Sequence, residues 1–422
     1  MDSDRHSPRR GFAQILAGTA VGQVLTFFAL PFLSRIYDSD QFGVLTFTLS
    51  IVAILTPVAL LGFDQAVLQP RQDREVAPIA FAGIAVLVVV AVMLSCVVAW
   101  GPTPSTIDPE LRPFLALAVP GLLIVTGLAT VLTQLAVRNG RYGSIGNRNT
   151  AQSIAITTAQ LSFGGLARSA GFSGLVTGAL IGTTLGAVLL APYGRQYTRR
   201  VSLRECLNAV AEYWRFPLVF APMTALTLLA QQTPLLFVIF YFGVAEGGQV
   251  GMAERLVAVP LALIGMAASS VFTGELSQAL RNDTTHKARV YLKTSLWLTT
   301  PAILALLGLY ILAPVAFPVF LGDGWHTAAV IAQTMAVVAA TRMLANPVRS
   351  AFRVLGRARV LTLVESTRVL LLLAAIALTL AMGLGLVPSL LALYTALAVA
   401  DVMSWVLGLV VSRQADSAPG SR

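Results

Sequence analysis

The chain has 422 residues, of which 56% are hydrophobic and only 11% charged, and its mean hydropathy is +0.78. Soluble domains carry about 25% charged residues, so this composition excludes a single water-soluble globule and indicates a polytopic membrane protein. The formal net charge of +10 points either to a nucleic-acid partner or to the orientation of the chain in a membrane.

Apolar runs of about 20 residues, each long enough to cross a bilayer, recur along the whole chain. They predict an all-α integral membrane fold with twelve transmembrane helices, arranged as two parallel-related six-helix halves around a central cavity. The fifth run is the most polar, because it is rich in Thr, Ser and Gln. The predicted spans are 12–33, 42–63, 77–100, 113–136, 149–167, 173–193, 216–242, 250–273, 291–313, 327–345, 361–384 and 388–411.

The basic residues are distributed unevenly between the predicted loops. With the N-terminus inside, 24 of the 29 Lys and Arg residues fall in inner segments, Arg148 and Arg342 among them, and the outer loops hold only Arg35, Arg112 and Arg168. This is the positive-inside pattern of membrane proteins. We therefore predict a multi-pass protein of a bacterial inner (plasma) membrane with both termini cytoplasmic, in contact with membrane lipids and not with nucleic acid.

The longest inner connection, 194–215, divides the chain near its midpoint. It predicts an N-terminal six-helix half at 1–193, a C-terminal six-helix half at 216–411 and a polar inner tail at 412–422. Within the connection, Ser202 and Glu205 have the spacing of a capping box. An apolar stripe follows, which fits an interfacial amphipathic helix or a simple spacer helix; its members are Leu203, Leu207, Val210 and Trp214.

The two halves also show internal similarity. The tetrapeptide QFGV at 41–44 resembles QVGM at 249–252, about half a chain length away. Six spans per repeat return the chain to the same side, which predicts parallel repeats. On this match, Phe47 is the counterpart of Arg255.

The stretch 216–260 is apolar but carries prolines and polar side chains that lipid cannot satisfy. The amides of Gln231 and Gln232 lie mid-span, where they contact either substrate or neighbouring helices. Prolines bend helices, and four of them are candidate bending or gating positions: Pro31, Pro222, Pro234 and Pro260.

Two arginines near the predicted outer side are candidates for substrate binding. Arg255 lies a few residues inside a span, and a guanidinium keeps its charge, so it faces either a cavity with an anionic ligand or the outer headgroups. Arg35 ends the first span and is either a second anion contact or an interfacial anchor. Asp64, at the inner end of the second span, is expected to be an exposed cap.

Three further ionisable residues lie inside predicted spans. Glu365 and Arg368 are three residues apart on one helix face, and Arg368 and Asp401 reach similar depths on either side of the turn near 385–388. We predict that Arg368 and Asp401 pair across this hairpin, either to neutralise charge and hold the hairpin together or to couple transport to a cation.

The sequence contains none of the motifs of common hydrolases, nucleotide-binding proteins or metalloproteases, and its three His residues lack metal-ligand spacing. We therefore expect no enzyme activity, no cofactor and no metal site, and we expect energy from an ion gradient or from another protein.

Several segments, taken in order, resemble a known family. The runs SRIYDSDQFGVLTFTLSIVAIL (34–55) and LGFDQAVLQPRQDRE (61–75), then YWRFPLVFAP (213–222), GQVGMAERLVAVPLALIG (248–265) and LGDGWHTAAVIAQTMA (321–336), resemble Wzx-type polysaccharide/O-antigen repeat-unit flippases. These belong to the multidrug/oligosaccharidyl-lipid/polysaccharide (MOP) exporter superfamily.

The resemblance implies a flippase that moves an undecaprenyl-diphosphate-linked oligosaccharide from the inner to the outer leaflet by alternating access, for lipopolysaccharide or exopolysaccharide biosynthesis. It implies Arg35 and Arg255 as positions where relatives often have arginine, H⁺ or Na⁺ as coupling ions, and polymerase or assembly proteins as partners. Two alternatives stay open. One is a cation-coupled drug antiporter of the same superfamily, and the other is a membrane oligosaccharide polymerase or ligase, against which the short outer loops argue.

Overall fold

The structure is a computed structural model that describes residues 8–101, 109–164, 173–197, 201–281, 287–348, 352 and 358–417. Arg168 and the end of the predicted tail, 418–422, lie outside the described residues. Within the described ranges the chain is helical and contains no strand. The helices are α1 Pro8–Ile36, α2 Ser39–Ala59, α3 Phe63–Ala66, α4 Val76–Trp100, α5 Arg112–Arg138, α6 Tyr142–Phe163, α7 Gly174–Arg195, α8 Leu203–Glu212, α9 Ala221–Tyr241, α10 Val244–Arg281, α11 Lys287–Leu321, α12 His326–Val348, α13 Ala358–Met382 and α14 Leu386–Ser417.

All the described helices other than α3 and α8 coincide with the twelve predicted spans. Ten of these twelve, in the part of the chain that the structure describes, are long and apolar enough to cross a membrane. The polar α6 and the long α10 are not among the ten, so their crossing stays a prediction. The all-α membrane class is confirmed, and the protein is a multi-pass membrane protein.

The linker between the predicted halves forms the expected amphipathic helix. The hydroxyl of Ser202 accepts from the backbone N–H of Glu205 at 3.3 Å, and the Glu205 carboxylate accepts from the N–H of Ser202 at 2.8 Å. This capping box satisfies two donors at the start of α8, as predicted. Leu203, Leu207 and Trp214 are all exposed, so the apolar stripe points away from the protein.

The chain forms two compact units. Unit 1 comprises the residues up to Gln232 together with Gly243–Gly248, and unit 2 comprises Thr233–Phe242 and the residues from Gln249 onward. The predicted division at 194–215 into two six-helix halves stays a prediction.

In unit 1, α6 packs between α1 and α7, while α5 packs against α4 and α7. A glycine on one helix repeatedly faces the next helix: a Cβ on Gly178 would lie 2.9 Å from the backbone N of Gln160, and one on Gly182 would lie 2.7 Å from that of Ile156. Small residues at four-residue spacing allow helices to approach this closely. The sequence Gly178–Gly182–Gly186 on α7 is therefore the contact that holds α6.

A second glycine contact in unit 1 joins the start of α2 to the start of α10. Gly43 is the fifth residue of α2 and faces the carbonyl of Val244, while Gly248 is the fifth residue of α10 and faces that of Ser39. The contact is mutual, and a Cβ at either position would overlap the other backbone. The tetrapeptide match, which pairs Gly43 with Gly251 and Phe47 with Arg255, stays a prediction.

In unit 2, α12 packs against α11 and α14, and α13 packs against α14. A buried cluster of Phe272, Leu276 and Tyr291 joins α10 to α11, and the Tyr291 hydroxyl donates to the Trp405 carbonyl of α14 at 2.7 Å. α14 continues to Ser417, so the first six residues of the predicted tail are helical. The carboxylate of Asp416 accepts from the N–H of Ala288 at 2.9 Å, which caps the start of α11 and anchors this extension.

Candidate functional site

The intramembrane charges of unit 2 form a buried ion network. Arg368 donates through Nη1 to Oε2 of Glu365 at 3.1 Å and through Nη2 to Oδ1 of Asp401 at 2.5 Å. The three residues are only 3%, 3% and 1% exposed. The predicted pairing across the α13–α14 hairpin is confirmed. Because a charge in lipid is costly unless it is paired, this geometry explains how three ionised groups are tolerated here.

The network extends to α12 through a residue that the sequence assigned to an inner loop. Arg342 is the seventeenth residue of α12 and places Nε 4.0 Å from Oδ2 of Asp401. The sequence count groups Arg342 with the inner-loop residues although it falls within the predicted span 327–345. The structure corrects this grouping by placing Arg342 inside α12, which continues to Val348. Arg342 also interacts electrostatically with Glu254 of α10. Two carboxylates on different helices therefore share one guanidinium.

Arg255 lies beside Glu254 near the start of α10, and both side chains are half-buried. The two interact electrostatically, and Glu254 also faces Arg342 and Tyr394. Glu254, Glu365 and Asp401 are thus accompanied by an equal number of arginines. Arg255 belongs to a charge-balanced region, and its role in binding substrate stays a prediction.

Arg35 is exposed at the C-terminal end of α1, where its Nη1 donates to the carbonyl of Pro31 at 2.5 Å. A guanidinium at this position satisfies one of the unbonded carbonyls of the last turn and interacts favourably with the helix dipole. This contact gives Arg35 a structural role at the helix end, and substrate contact by Arg35 stays a prediction.

The two mid-span glutamines behave differently. Gln232 donates through Nε2 to the Ser50 hydroxyl of α2 at 3.0 Å, whereas Gln231 is exposed. The first therefore connects neighbouring helices within unit 1, and the second presents an amide to its surroundings. Neither position is tested as a substrate contact.

The predicted bending prolines occupy two kinds of place. Pro31, Pro234 and Pro260 lie inside α1, α9 and α10, where each removes a helical N–H and favours a kink. Pro222 is instead the second residue of α9, directly after the π-helical turn Phe216–Phe220. Such turns are rare and often lie at functional sites, so this turn is where α9 can change direction.

Unit 1 contains a polar helix whose interior bonding the sequence did not resolve. Asn149 donates to the Thr19 hydroxyl of α1 at 2.9 Å, and Gln160 donates to the Leu175 carbonyl at 3.0 Å. The Tyr37 hydroxyl in turn donates to the Gln160 carbonyl at 2.7 Å. The glycines of α1 and α7 let both helices approach α6 closely. These polar groups of α6 therefore bond to protein and are shielded from lipid.

Arg148 is the residue that sequence reasoning misplaced in this helix. It was counted with the inner loops, but α6 begins at Tyr142 and not near 149, so Arg148 is its seventh residue, about 9 Å along the axis. Its Nη1 donates to Oδ1 of Asn149 at 3.0 Å. The start of α6 has low hydropathy, so the sequence placed the beginning of this helix too late. The four-residue spacing of glycines on α7 was a signal in the sequence that a neighbouring helix packs along it.

Asp64 is not the expected exposed cap. The chain turns at Leu61 and Gly62, both with positive φ, and α3 then packs on α4 and α5. This turn folds Asp64 inward, leaving it 9% exposed. Burial raises the pKa of the Asp64 carboxyl, against a smaller lowering by hydrogen bonds from the backbone N–H groups of Gln65 and of Asp64 itself.

The sequence profile of one family matches residues 32–330, and that family is described as polysaccharide biosynthesis protein. The chain belongs to this family. Its resemblance to Wzx-type members of the MOP superfamily is confirmed by this match and by the relatives below.

Among individual relatives, the lipopolysaccharide biosynthesis protein WzxC of Escherichia coli (strain K12) is 25% identical over 328 residues, which are 75% of this chain and 64% of that protein. The match thus spans less than two thirds of the relative. The fold is also similar to the lipid II flippase MurJ in an inward closed conformation, with a TM-score of 0.65 at 12% identity over 96% of this chain and 85% of that one. A MOP superfamily transporter from Pyrococcus furiosus gives 0.62 at 13% identity over 98% and 97%.

Proposed function

We propose that this polysaccharide biosynthesis family member is a flippase that carries an undecaprenyl-diphosphate-linked oligosaccharide repeat unit from the inner to the outer leaflet of a bacterial inner membrane. The family match over residues 32–330 carries this proposal. The MOP-type fold supports it, because related transporters share this architecture. The two halves would expose the headgroup to each side in turn while the lipid tail stays in the bilayer.

Two features of the chain favour lipid-linked sugar over an organic cation. A cation antiporter needs a carboxylate available to its substrate, but Glu365 and Asp401 are buried and bonded to Arg368. We assign this network to holding α12, α13 and α14 together. Polar side chains on α6 and the exposed Gln231 would instead suit a hydroxyl-rich headgroup.

Reconstitution tests the function directly. Purified protein in liposomes that contain a fluorescent lipid-linked oligosaccharide should make the sugar accessible to an impermeant glycosidase on the opposite face. Protein-free liposomes and heat-denatured protein are the controls. A rate equal to that of the controls, in protein that is monodisperse before reconstitution, would rule out the flippase.

The same assay tests Arg255 and Arg35 as anion contacts. We expect Arg255→Ala to slow transport at least about tenfold, because a lost charge-assisted hydrogen bond is worth about 1.5–3 kcal/mol, and Arg255→Lys to retain part of the rate. Arg35→Ala should have the smaller effect. Wild-type transport by Arg255→Ala would contradict the assigned role.

The proposed orientation places both termini in the cytoplasm, with α8 on the inner surface. There the exposed Leu203 and Leu207 of α8, and Trp214 just after it, would contact lipid. Reporter fusions that are active on one side of the membrane check the termini. Labelling of a cysteine at position 203 by a membrane-impermeant thiol reagent from the outer side only would refute the placement of α8.

A further inference from the structure

Three buried polar atoms on α6 have no hydrogen-bond partner among the described residues. They are Nε of Arg148, Oε1 of Gln152 and Oγ1 of Thr157. An unmade hydrogen bond at a buried polar atom costs about 1–3 kcal/mol, so such a group calls for an explanation, such as strain, a catalytic role or a bound water or ion. Arg148 and Gln152 are one turn apart and lie on the same face of the helix.

Both side chains lie against Gly186 of α7. A Cβ on Gly186 would lie 2.6 Å from Oε1 of Gln152 and 2.9 Å from Nε of Arg148. Gln152 makes only a long bond of 3.4 Å to the Thr183 hydroxyl. Since the two inward atoms are bonded to nothing there, either side chain can turn toward a ligand without breaking a hydrogen bond at that atom.

Arg148 also differs from other arginines in its charged neighbours. No acidic side chain of the described ranges lies within 4.0 Å of it, in contrast to Arg138, Arg342 and Arg368, which all have carboxylate neighbours. Its bond to Asn149, which itself donates to Thr19, holds the side chain in position. A guanidinium keeps its charge, so one that is partly buried between helices favours an anionic ligand.

The exposed face of α6 is mixed in character. It carries Asn147, Thr158 and Ser162 together with the apolar Ile154 and Leu161, whereas the large exposed side chains of α4 are apolar. Amides and hydroxyls both donate and accept hydrogen bonds, which matches the hydroxyls of a sugar.

We propose that Arg148 and Gln152 form a binding site for an oxyanion on a hydroxylated group, such as the carboxylate or phosphate of an acidic sugar in the transported glycolipid. This inference rests on the proposed function for the origin of the ligand. The guanidinium binds the oxyanion by charge-assisted hydrogen bonds, and the Gln152 amide bonds an adjacent hydroxyl. Such a site makes the protein selective for acidic over neutral repeat units.

Binding to the full-length protein in nanodiscs of zwitterionic lipid tests the site without transport. Glucuronate and glucose 1-phosphate should bind at least about tenfold more tightly than glucose, as expected for charge-assisted hydrogen bonds, and Arg148→Gln should abolish the preference. Arg141→Gln, which removes an exposed charge beside the start of α6, is the matched control and should keep it. Equal binding of the three sugars to wild type, or an unchanged preference in Arg148→Gln, overturns the proposal.

Gln152→Met provides a second variant in case Arg148→Gln does not fold, and it should weaken glucuronate binding severalfold without removing the preference for acid. Nanodiscs with phosphatidylglycerol distinguish a headgroup as the occupant. If this lipid displaces glucuronate from wild type and itself binds Arg148→Gln more weakly than wild type, the site belongs to lipid headgroups and the substrate proposal fails. If the protein flips its glycolipid but does not prefer acidic sugars over glucose, this site alone is refuted. If it prefers acidic sugars but does not flip the glycolipid, the proposed function alone is refuted.

Discussion

Unit 1 and unit 2 each place an arginine within a helix of a membrane protein, and they treat it differently. Arg368 in unit 2 is bonded to carboxylates on two helices, whereas Arg148 in unit 1 is bonded to an amide. A charge that is neutralised internally stabilises the protein and is withdrawn from any ligand. A charge that is positioned but not neutralised is available for one. The type of partner therefore separates a structural arginine from a binding one.

The units also use glycine in different contacts. The glycines of α7 meet the backbone of α6, whereas in the described part of unit 2 Gly408 meets the side chain of Tyr291, and Gly265 and Gly308 have nothing within 4 Å of an added Cβ. Polar α6 thus depends on close backbone packing that brings hydrogen-bond partners within reach. The charged groups of α13 and α14 meet through their side chains.

The sharpest test of the difference removes each arginine. Arg368→Ala or Asp401→Ala leaves a buried charge without its partner and should lower the free energy of unfolding by about 3–5 kcal/mol. The double variant should lose much less than the sum of the two. Arg148→Ala should cost only about 1 kcal/mol, the net worth of an ordinary hydrogen bond. Denaturant unfolding in micelles measures all four, and additive losses in the double variant would contradict a pairing role.

The second test concerns the glycines. Gly182→Ala should cost about 1–3 kcal/mol, because the added methyl overlaps α6 and forces the helices apart. Gly308→Ala, in open space within α11, should be neutral or stabilising by up to about 1 kcal/mol from helix propensity. Thermal unfolding of the two variants compares them, and equal effects would mean that α6 is not held by close packing.

A smaller effect is expected at the edge of the unit 2 network. Arg342→Gln removes a side chain that is 33% exposed and 4.0 Å from Asp401, while Arg368 continues to neutralise that carboxylate. Partly exposed ion pairs contribute about 1 kcal/mol or less. Destabilisation as large as that of Arg368→Ala would make Arg342 an equal partner, and the network would then need both arginines.

The smallest effect is a pH dependence in unit 1. Because burial raises the pKa of Asp64 above its ordinary 3.8, the folded state binds this proton more tightly than the unfolded state. The resulting stabilisation is complete at low pH and is lost as the pH rises through the raised pKa. Asp64→Asn should flatten the profile of melting temperature in the pH range above the ordinary carboxyl pKa of 3.8, where wild type loses this stabilisation. A variant with the same slope as wild type would show that other groups cause it.

Local patterns in the sequence accounted for much of this protein. Hydropathy over windows of one bilayer thickness located the long helices, since crossing lipid requires a continuous apolar run. The capping box of α8 was predictable because its atoms are three residues apart. The Arg368–Asp401 pair was predictable because a short turn joins two antiparallel helices, so distance from the turn fixes depth.

Only the tertiary structure decided which distant groups meet. The close approach of Gly43 to Val244 and of Gly248 to Ser39 is one example, because no local pattern in the sequence shows which helix starts lie against each other. Arg342 lies 4.0 Å from Asp401, and Arg148 has no acidic side chain of the described residues within 4.0 Å, although the sequence count groups both with the inner-loop residues. A hydropathy profile averages over neighbouring residues in the sequence, so it carries no information about a partner on another helix. Whether a membrane charge is neutralised or available depends on helices that are far apart in the chain.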